Sequence, residues 1–277
     1  MDLTKVDELK LNSKLTTHYP ILIGSAPACG KSHSLINLTD EEKAVTVVIN
    51  ADGKALGDIS KYAKVITLDS NFGKGYKNII SIDSRLKESF KTFLQILEEI
   101  KQGTKIQRLV VDTFTSLISW FLRIAEKQSG YTVWSTYNSQ IDQFIKTIQN
   151  YSVHKKAVYV FAHYRPSFDG KAFITVKGSE HKDLVEAYFS TTILANKTDS
   201  GGKRRFFYYA DTLNDDDTTR TSVKGSRLSF ARYSLTSLED YLFADTKEER
   251  LAVKKLAEEK TAKDLENSDE EELFERF

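Results

Sequence analysis

The segment from Ile21 to Ser32 constrains this chain more than any other. An apolar run, Ile21-Leu22-Ile23, leads into Ser25-Ala26-Pro27-Ala28-Cys29-Gly30-Lys31-Ser32, and a helical pattern follows to Leu38. A strand, a tight loop and a helix N-terminus in that order form a cradle for an anion. Backbone N–H groups converge on it, the helix dipole favours it, a lysine reaches its terminal oxygens and a hydroxyl serves a magnesium ion. Gly30, Lys31 and Ser32 supply the second half of that pattern at the required spacing. Residues Ser25 to Ser32 are therefore the candidate loop for ATP, with Ser32 a candidate Mg2+ ligand. Two departures stand out. Ser25 occupies the place of the usual first glycine, with Gly24 one residue early, and Pro27 removes one potential N–H donor. The plain alternative is a loop that happens to contain Gly-Lys-Ser.

The rest of the chain alternates strand and helix patterns. Ala44 to Asn50 is continuously apolar and β-branched, as a strand buried on both faces should be. Lys64 to Leu68 and Arg108 to Asp112 read as further strands, and Ala157 to Ala162 as another buried one. Apolar residues at helical spacing predict an amphipathic helix over Ser84 to Gln102, ended by Gly103. Two apolar stripes, from Phe114 to Ala125 and from Ile141 to Ile148, read as helices packed on the core. Thr191 to Ala195 and Arg205 to Ala210 read as strands joined by Lys197 to Gly202, a Gly-Gly turn. This alternation predicts an α/β fold with right-handed crossovers, a mostly parallel sheet and helices on both faces. A β-hairpin and a charged helical tail complete it. The expected divisions are an extension over residues 1–18, a main domain over 19–236 and a helical, acidic tail over 237–277.

The composition is that of an ordinary soluble protein: 277 residues, 40% hydrophobic and 29% charged. A net charge of +1 means that any nucleic-acid contact must come from a local patch. The single cysteine, Cys29, permits no intrachain disulfide and suits a reducing cytoplasm. No signal-peptide pattern and no apolar run of about 20 residues is present, so no membrane partner is expected.

On such sheets ligands gather at the carboxyl ends of the strands. Three polar residues are expected there beside the loop. Asp112 ends an apolar strand and suits a place beside magnesium, although an aspartate there can also cap the following helix. Asp52 follows the second strand, where a carboxylate can polarise an attacking water, or simply make an Asp-Gly turn. His163 follows the strand Ala157 to Ala162, where a polar side chain can touch a γ-phosphate; a lone histidine is also a common structural residue.

Together these residues resemble RecA-type ATPases, and more closely the phage-encoded AAA family that includes small RecA-like single-strand annealing proteins. The resemblance runs from about Tyr19 to Arg227, through the segments SAPACGKS, INADGKAL, LVVDTFTSL, VYVFAHYRP and GGKRRFFYYADT. It implies a Mg2+-dependent, DNA-stimulated ATPase in which Lys31 and Ser32 hold phosphates and metal and Asp112 supports the metal. Asp52 takes the place of the catalytic carboxylate, which is usually glutamate, and His163 that of the γ-phosphate sensor. It also implies a homo-oligomer acting on single-stranded DNA in the cytoplasm of a phage host.

The resemblance places a DNA-binding loop over Pro166 to Lys182, where Lys171, Lys177 and Lys182 interleave with Phe168, Phe173 and His181. Cations can follow phosphates while aromatics stack on bases. Lys203, Arg204 and Arg205 can touch nucleic acid, complete a neighbouring subunit's nucleotide site, or keep a hairpin soluble. Residues 267–277 carry Asp269, Glu270, Glu271, Glu272 and Glu275 beside Leu273, Phe274 and Phe277. They read as a solvated tail or as an acidic-aromatic peptide for a replication or single-strand-binding partner. Two other functions remain open: a small-molecule P-loop kinase and an ATP-dependent scaffold.

Overall fold

The computed structural model describes residues 20–26, 31–36, 38–57, 59–69, 77–154, 156–166, 172–174, 185–189, 191–200, 203–209, 235–244 and 246–267. Nine strands are present among them: β1 (Ile21–Ser25), β2 (Thr46–Asn50), β3 (Lys64–Leu68), β4 (Ile79–Ile82), β5 (Arg108–Asp112), β6 (Ala157–Pro166), β7 (Ala172–Ile174), β8 (Thr191–Ser200) and β9 (Lys203–Tyr209). The helices are α1 (His33–Ile36), α2 (Asp40–Ala44), α3 (Ile59–Tyr62), α4 (Ser89–Gln102), α5 (Phe114–Ala125), α6 (Thr132–Gln149), α7 (Leu235–Phe243) and α8 (Lys247–Asn267).

The sheet order is β4-β3-β2-β5-β6-β1-β8-β9, with β7 paired to β6 outside that path. All pairings from β4 through to β8 are parallel, giving seven parallel strands, and β9 closes the far edge as an antiparallel hairpin with β8. The predicted α/β fold is thus present. Its cause is visible in the strands, whose consecutive apolar residues serve opposite faces. Leu22, Val47, Ile49, Leu109, Val111, Val158 and Val160 pack with α4, α5 and α6. Their neighbours Ile21, Ile23, Val48, Val110, Tyr159 and Phe161 pack with α1, α3 and α7 on the other face. The first layer is unusually aromatic: Phe93, Phe121 and Phe144 lie within 6.2 Å of one another between ring centres, and Trp120 sits 5.5 Å from Phe93.

Several boundaries differ from the sequence expectation for local reasons. The helix predicted from Ser84 starts at Ser89, because Asp69 takes the N–H and hydroxyl of Ser84 and Leu86 lies exposed, off the apolar stripe. Residues 40–44, whose last residue was predicted to open a strand, form α2, which is set by a reciprocal cap between Thr39 and Glu42. The edge strand β4 was not predicted: Ile79 to Ile82 is short and largely exposed, so it lacks the buried pattern of its neighbours. The β8–β9 hairpin is longer than predicted, with Ser200 opposite Lys203. The predicted division at residue 236 falls inside α7, where Leu235, Leu238, Tyr241 and Leu242 are buried against the sheet. The same helix supplies Glu239, which accepts three hydrogen bonds from the Arg108 guanidinium at 2.9–3.2 Å and one from the Tyr159 hydroxyl at 2.7 Å.

Two placements matter for the site. Strand β6 is inserted between β1 and β5, so it separates the strand that enters the candidate loop from the strand that ends in Asp112. It also runs four residues beyond Ala162, to Pro166, so His163 lies within the strand, opposite Ser25 in the parallel ladder.

Candidate active site

The carboxyl ends of β1, β2, β5 and β6 converge on one rim of the sheet, and the chemistry-bearing residues lie there. Ser25 closes β1 and is buried. Its hydroxyl donates to the Ala26 carbonyl at 2.8 Å and accepts from Lys31 Nζ at 2.5 Å. Lys31 Nζ also reaches the Ala26 carbonyl at 3.4 Å. The serine that replaces the usual glycine is thus a resting partner for the lysine. Gly24 has a different role: a methyl group there would lie 1.3 Å from Tyr164 Cε2, so the Tyr164 ring on β6 requires a glycine in the strand before the loop. Pro27, Ala28, Cys29 and Gly30 lie outside the described residues.

Ser32 Oγ donates to Asp112 Oδ2 at 2.6 Å. The other oxygen, Oδ1, is buried without a hydrogen-bond partner among the described residues. Burial pushes the Asp112 carboxyl above its ordinary pKa; the Ser32 hydrogen bond acts against that and the nearby Asp52 charge adds to it. A buried carboxylate with a free oxygen, in contact with a loop serine, is an acceptor set that fits a hard divalent cation. Asp112 does not cap α5. That cap is Thr113, whose hydroxyl accepts from the Ser116 N–H at 3.4 Å, and this leaves Asp112 to face Ser32.

Asp52 stands beside this pair. Gly53 adopts a positive φ of 68°, and Asn50 brackets the turn by exchanging hydrogen bonds with the Lys54 backbone at 2.7 and 3.2 Å. The Asp-Gly turn is therefore present, directly after the carboxyl end of β2. Asp52 Oδ1 accepts from Thr113 Oγ1 at 3.0 Å and from the Ser116 hydroxyl, and Oδ2 accepts from Lys54 Nζ at 2.6 Å. Burial opposes ionisation here, but the Lys54 and Ser116 hydrogen bonds and the Lys54 charge outweigh it and hold the carboxyl below its ordinary pKa.

His163 is half-buried, and its backbone N–H donates to Thr115 Oγ1 at 3.0 Å. Burial, reinforced by the Lys31 charge, lowers its pKa and favours the neutral ring. His163, Asp52 and Lys54 share a polar cavity of about 660 Å³ that extends to Ser119, Arg123 and Asp69. Its far wall is fixed by Asp69, which takes a left-handed φ of 53° and binds Ser84 and Arg123, the latter at 2.9 Å.

The structure thus brings Ser25, Lys31, Ser32, Asp52, Asp112 and His163 to one rim. Lys171, Lys177 and Lys182 lie outside the described residues, as do the side chains of Lys203, Arg204 and Arg205, whose backbones open β9. Within Pro166 to Lys182, residues Ala172–Ile174 form β7, antiparallel to Tyr164–Pro166, where a loop was expected. Sequence reasoning missed Lys54, Thr113, Thr115 and Ser116 as partners of Asp52 and His163. The signal for three of them was a hydroxyl-rich helix start immediately after Asp112.

No family model matches the chain, and no curated protein matches it. Among solved structures, it is similar to a KaiC-like protein from the hyperthermophilic archaeon Pyrococcus horikoshii, with 13% identity over 74% of this chain and 82% of that one and a TM-score of 0.40. It is also similar to the flagellar accessory protein FlaH from Methanocaldococcus jannaschii, with 10% identity over 68% of this chain and 76% of that one and a TM-score of 0.36. Among the described residues, no helix is long and apolar enough to cross a membrane.

Proposed function

We propose that this chain is a Mg2+-dependent ATPase of the RecA type that acts on single-stranded DNA, in annealing or strand exchange during phage recombination or replication. The observation that carries the nucleotide part is the contact of Ser32 with Asp112 beside a buried carboxylate oxygen that has no hydrogen-bond partner among the described residues. Ser32 and Asp112 would hold the magnesium ion, directly or through water, and Lys31 would exchange Ser25 for phosphate oxygens. Bound magnesium supplies charge neutralisation at the phosphates.

The protein's own groups then divide the remaining work. Asp52 stays ionised and accepts a hydrogen bond from the attacking water, orienting it; its lowered pKa makes it a weak proton sink. Neutral His163 offers one ring nitrogen as donor and one as acceptor toward the same cavity. Only Tyr164 and Arg165 separate it from Pro166, where the expected DNA-binding segment begins, so a change at the ring has a short path to that segment. The DNA part of the reading is supported by the lysines and aromatics of residues 166–182 and by the RecA-type resemblance.

The cavity beside Asp52 favours one second reading, a P-loop kinase with its acceptor bound between Lys54 and Arg123. ADP formation with and without Mg2+, single-stranded DNA and small hydroxylated acceptors, with the γ-phosphoryl group followed to free phosphate or to the acceptor, separates the two. The ATPase should need Mg2+ and accelerate with single-stranded DNA. Stimulation by an acceptor alone would establish the kinase, and indifference to both would leave an ATP-dependent scaffold.

A further inference from the structure

A second concave surface lies at the opposite end of the sheet from the candidate active site. It is a groove of about 510 Å³ at the amino ends of β2 and β3, walled by β4, the end of α4 and the loop of residues 103–106. Ile66, Ile80, Ile96 and Ile100 line it. It runs beside β4, the edge strand, on which Ile80 is 45% exposed. Lys64, Lys77 and Lys105 stand on its rim, all exposed and none engaged with a carboxylate among the described residues, against the single carboxylate of Glu99. An apolar trough with an excess of unpaired cations suits an acidic, aromatic peptide.

The chain itself contains one. Residues 268–277 hold Asp269, Glu270, Glu271, Glu272 and Glu275 against Arg276, together with Leu273, Phe274 and Phe277. Residues 1–19, also outside the described set, balance Asp2, Asp7 and Glu8 with Lys5, Lys10 and Lys14 and have no such complementarity. We propose that the groove is the docking site of residues 268–277. Leu273, Phe274 and Phe277 occupy the apolar floor, and the carboxylates face Lys64, Lys77 and Lys105. Burying three large side chains and ordering the segment that carries them are opposing effects of similar size. Attraction to the three lysines therefore decides occupancy, and salt should release the segment.

Zero-length carbodiimide cross-linking of the full chain, mapped by mass spectrometry, tests this. The expected products join Lys64, Lys77 or Lys105 to carboxylates of residues 269–275, with yields that fall as salt rises. The triple variant Lys64→Glu, Lys77→Glu, Lys105→Glu removes the cross-linkable amines as well as the charge, so the companion variants keep them. Phe274→Ala with Phe277→Ala should lower the yield about tenfold or more. Ile80→Glu in the groove should do the same. Cross-links from these carboxylates to other lysines only, no cross-links, or yields unchanged in both companion variants would overturn the assignment.

Discussion

Ser32 Oγ lies 2.6 Å from Asp112 Oδ2, a contact that joins the end of the candidate phosphate loop to the carboxyl end of a strand 80 residues later. The buried Oδ1 beside it gives the contact a chemical direction, because a carboxylate so placed is stabilised by a cation.

Asp112→Asn should therefore have opposite effects on binding and stability. Burial raises the folded pKa of Asp112 above its unfolded value, so folding is favoured at low pH and loses stability as pH rises through the range between the two. At neutral pH the amide removes that penalty. Without nucleotide the variant should melt a few degrees higher, the scale of ~1 kcal/mol in a large domain. Its Mg2+-dependent gain in ATP affinity should vanish. Calorimetric melting and ATP titration with and without Mg2+ measure the two.

Lys31→Ala should weaken ATP binding by about 10–100-fold or more, the loss of charge-assisted bonds to phosphate. Unchanged affinity would contradict the phosphate-loop assignment. Ser25→Ala removes the resting partner of Lys31 and should change affinity far less, with circular dichroism unaltered.

Asp52→Asn should leave ATP affinity intact and lower turnover by about 10²–10⁴-fold. The Lys54 ion pair holds Asp52 ionised below the ordinary carboxylate range, so turnover should not fall from pH 8 to 5 through protonation of Asp52. In Lys54→Met the acid limb should move to higher pH. Steady-state rates across that range decide it, and coincident profiles for the two proteins would refute the role given to Lys54.

The lowered pKa of His163 has its own pH signature. Between its unfolded and folded values the unfolded chain binds the extra proton, so stability rises with pH through that window and is lost on acidification. His163→Gln should flatten the dependence between about pH 7 and 5. Denaturant midpoints measured at half-unit steps test this separately from any effect on DNA stimulation.

Arg108→Met leaves Glu239, and Glu42 at 4.0 Å, without their cation at the contact of β5 with α7. Breaking such a largely buried pair from one side costs about 3–5 kcal/mol. Urea denaturation should show the loss, and nucleotide affinity of the folded protein should be unchanged, since Arg108 lies at the opposite end of β5 from Asp112.

Much of this molecule is legible in its sequence, because the relevant signals are local. Lys64–Leu68 and Arg108–Asp112 form the predicted strands without adjustment, since each is a short apolar run bounded by turn residues. The strand before Gly-Lys-Ser and the aspartate after Val110-Val111 likewise announce which strand ends carry polar chemistry. What periodicity does not encode is the lateral order of strands and the company each side chain keeps. Only the tertiary structure inserts β6 between β1 and β5 and sets His163 opposite Ser25. Only there does Thr113 rather than Asp112 cap α5, while Ser116 and Lys54 hold Asp52. These relationships depend on residues tens of positions apart meeting in a packed interior, where burial and pairing, not spacing along the chain, decide which groups stay charged and which remain free to receive a ligand.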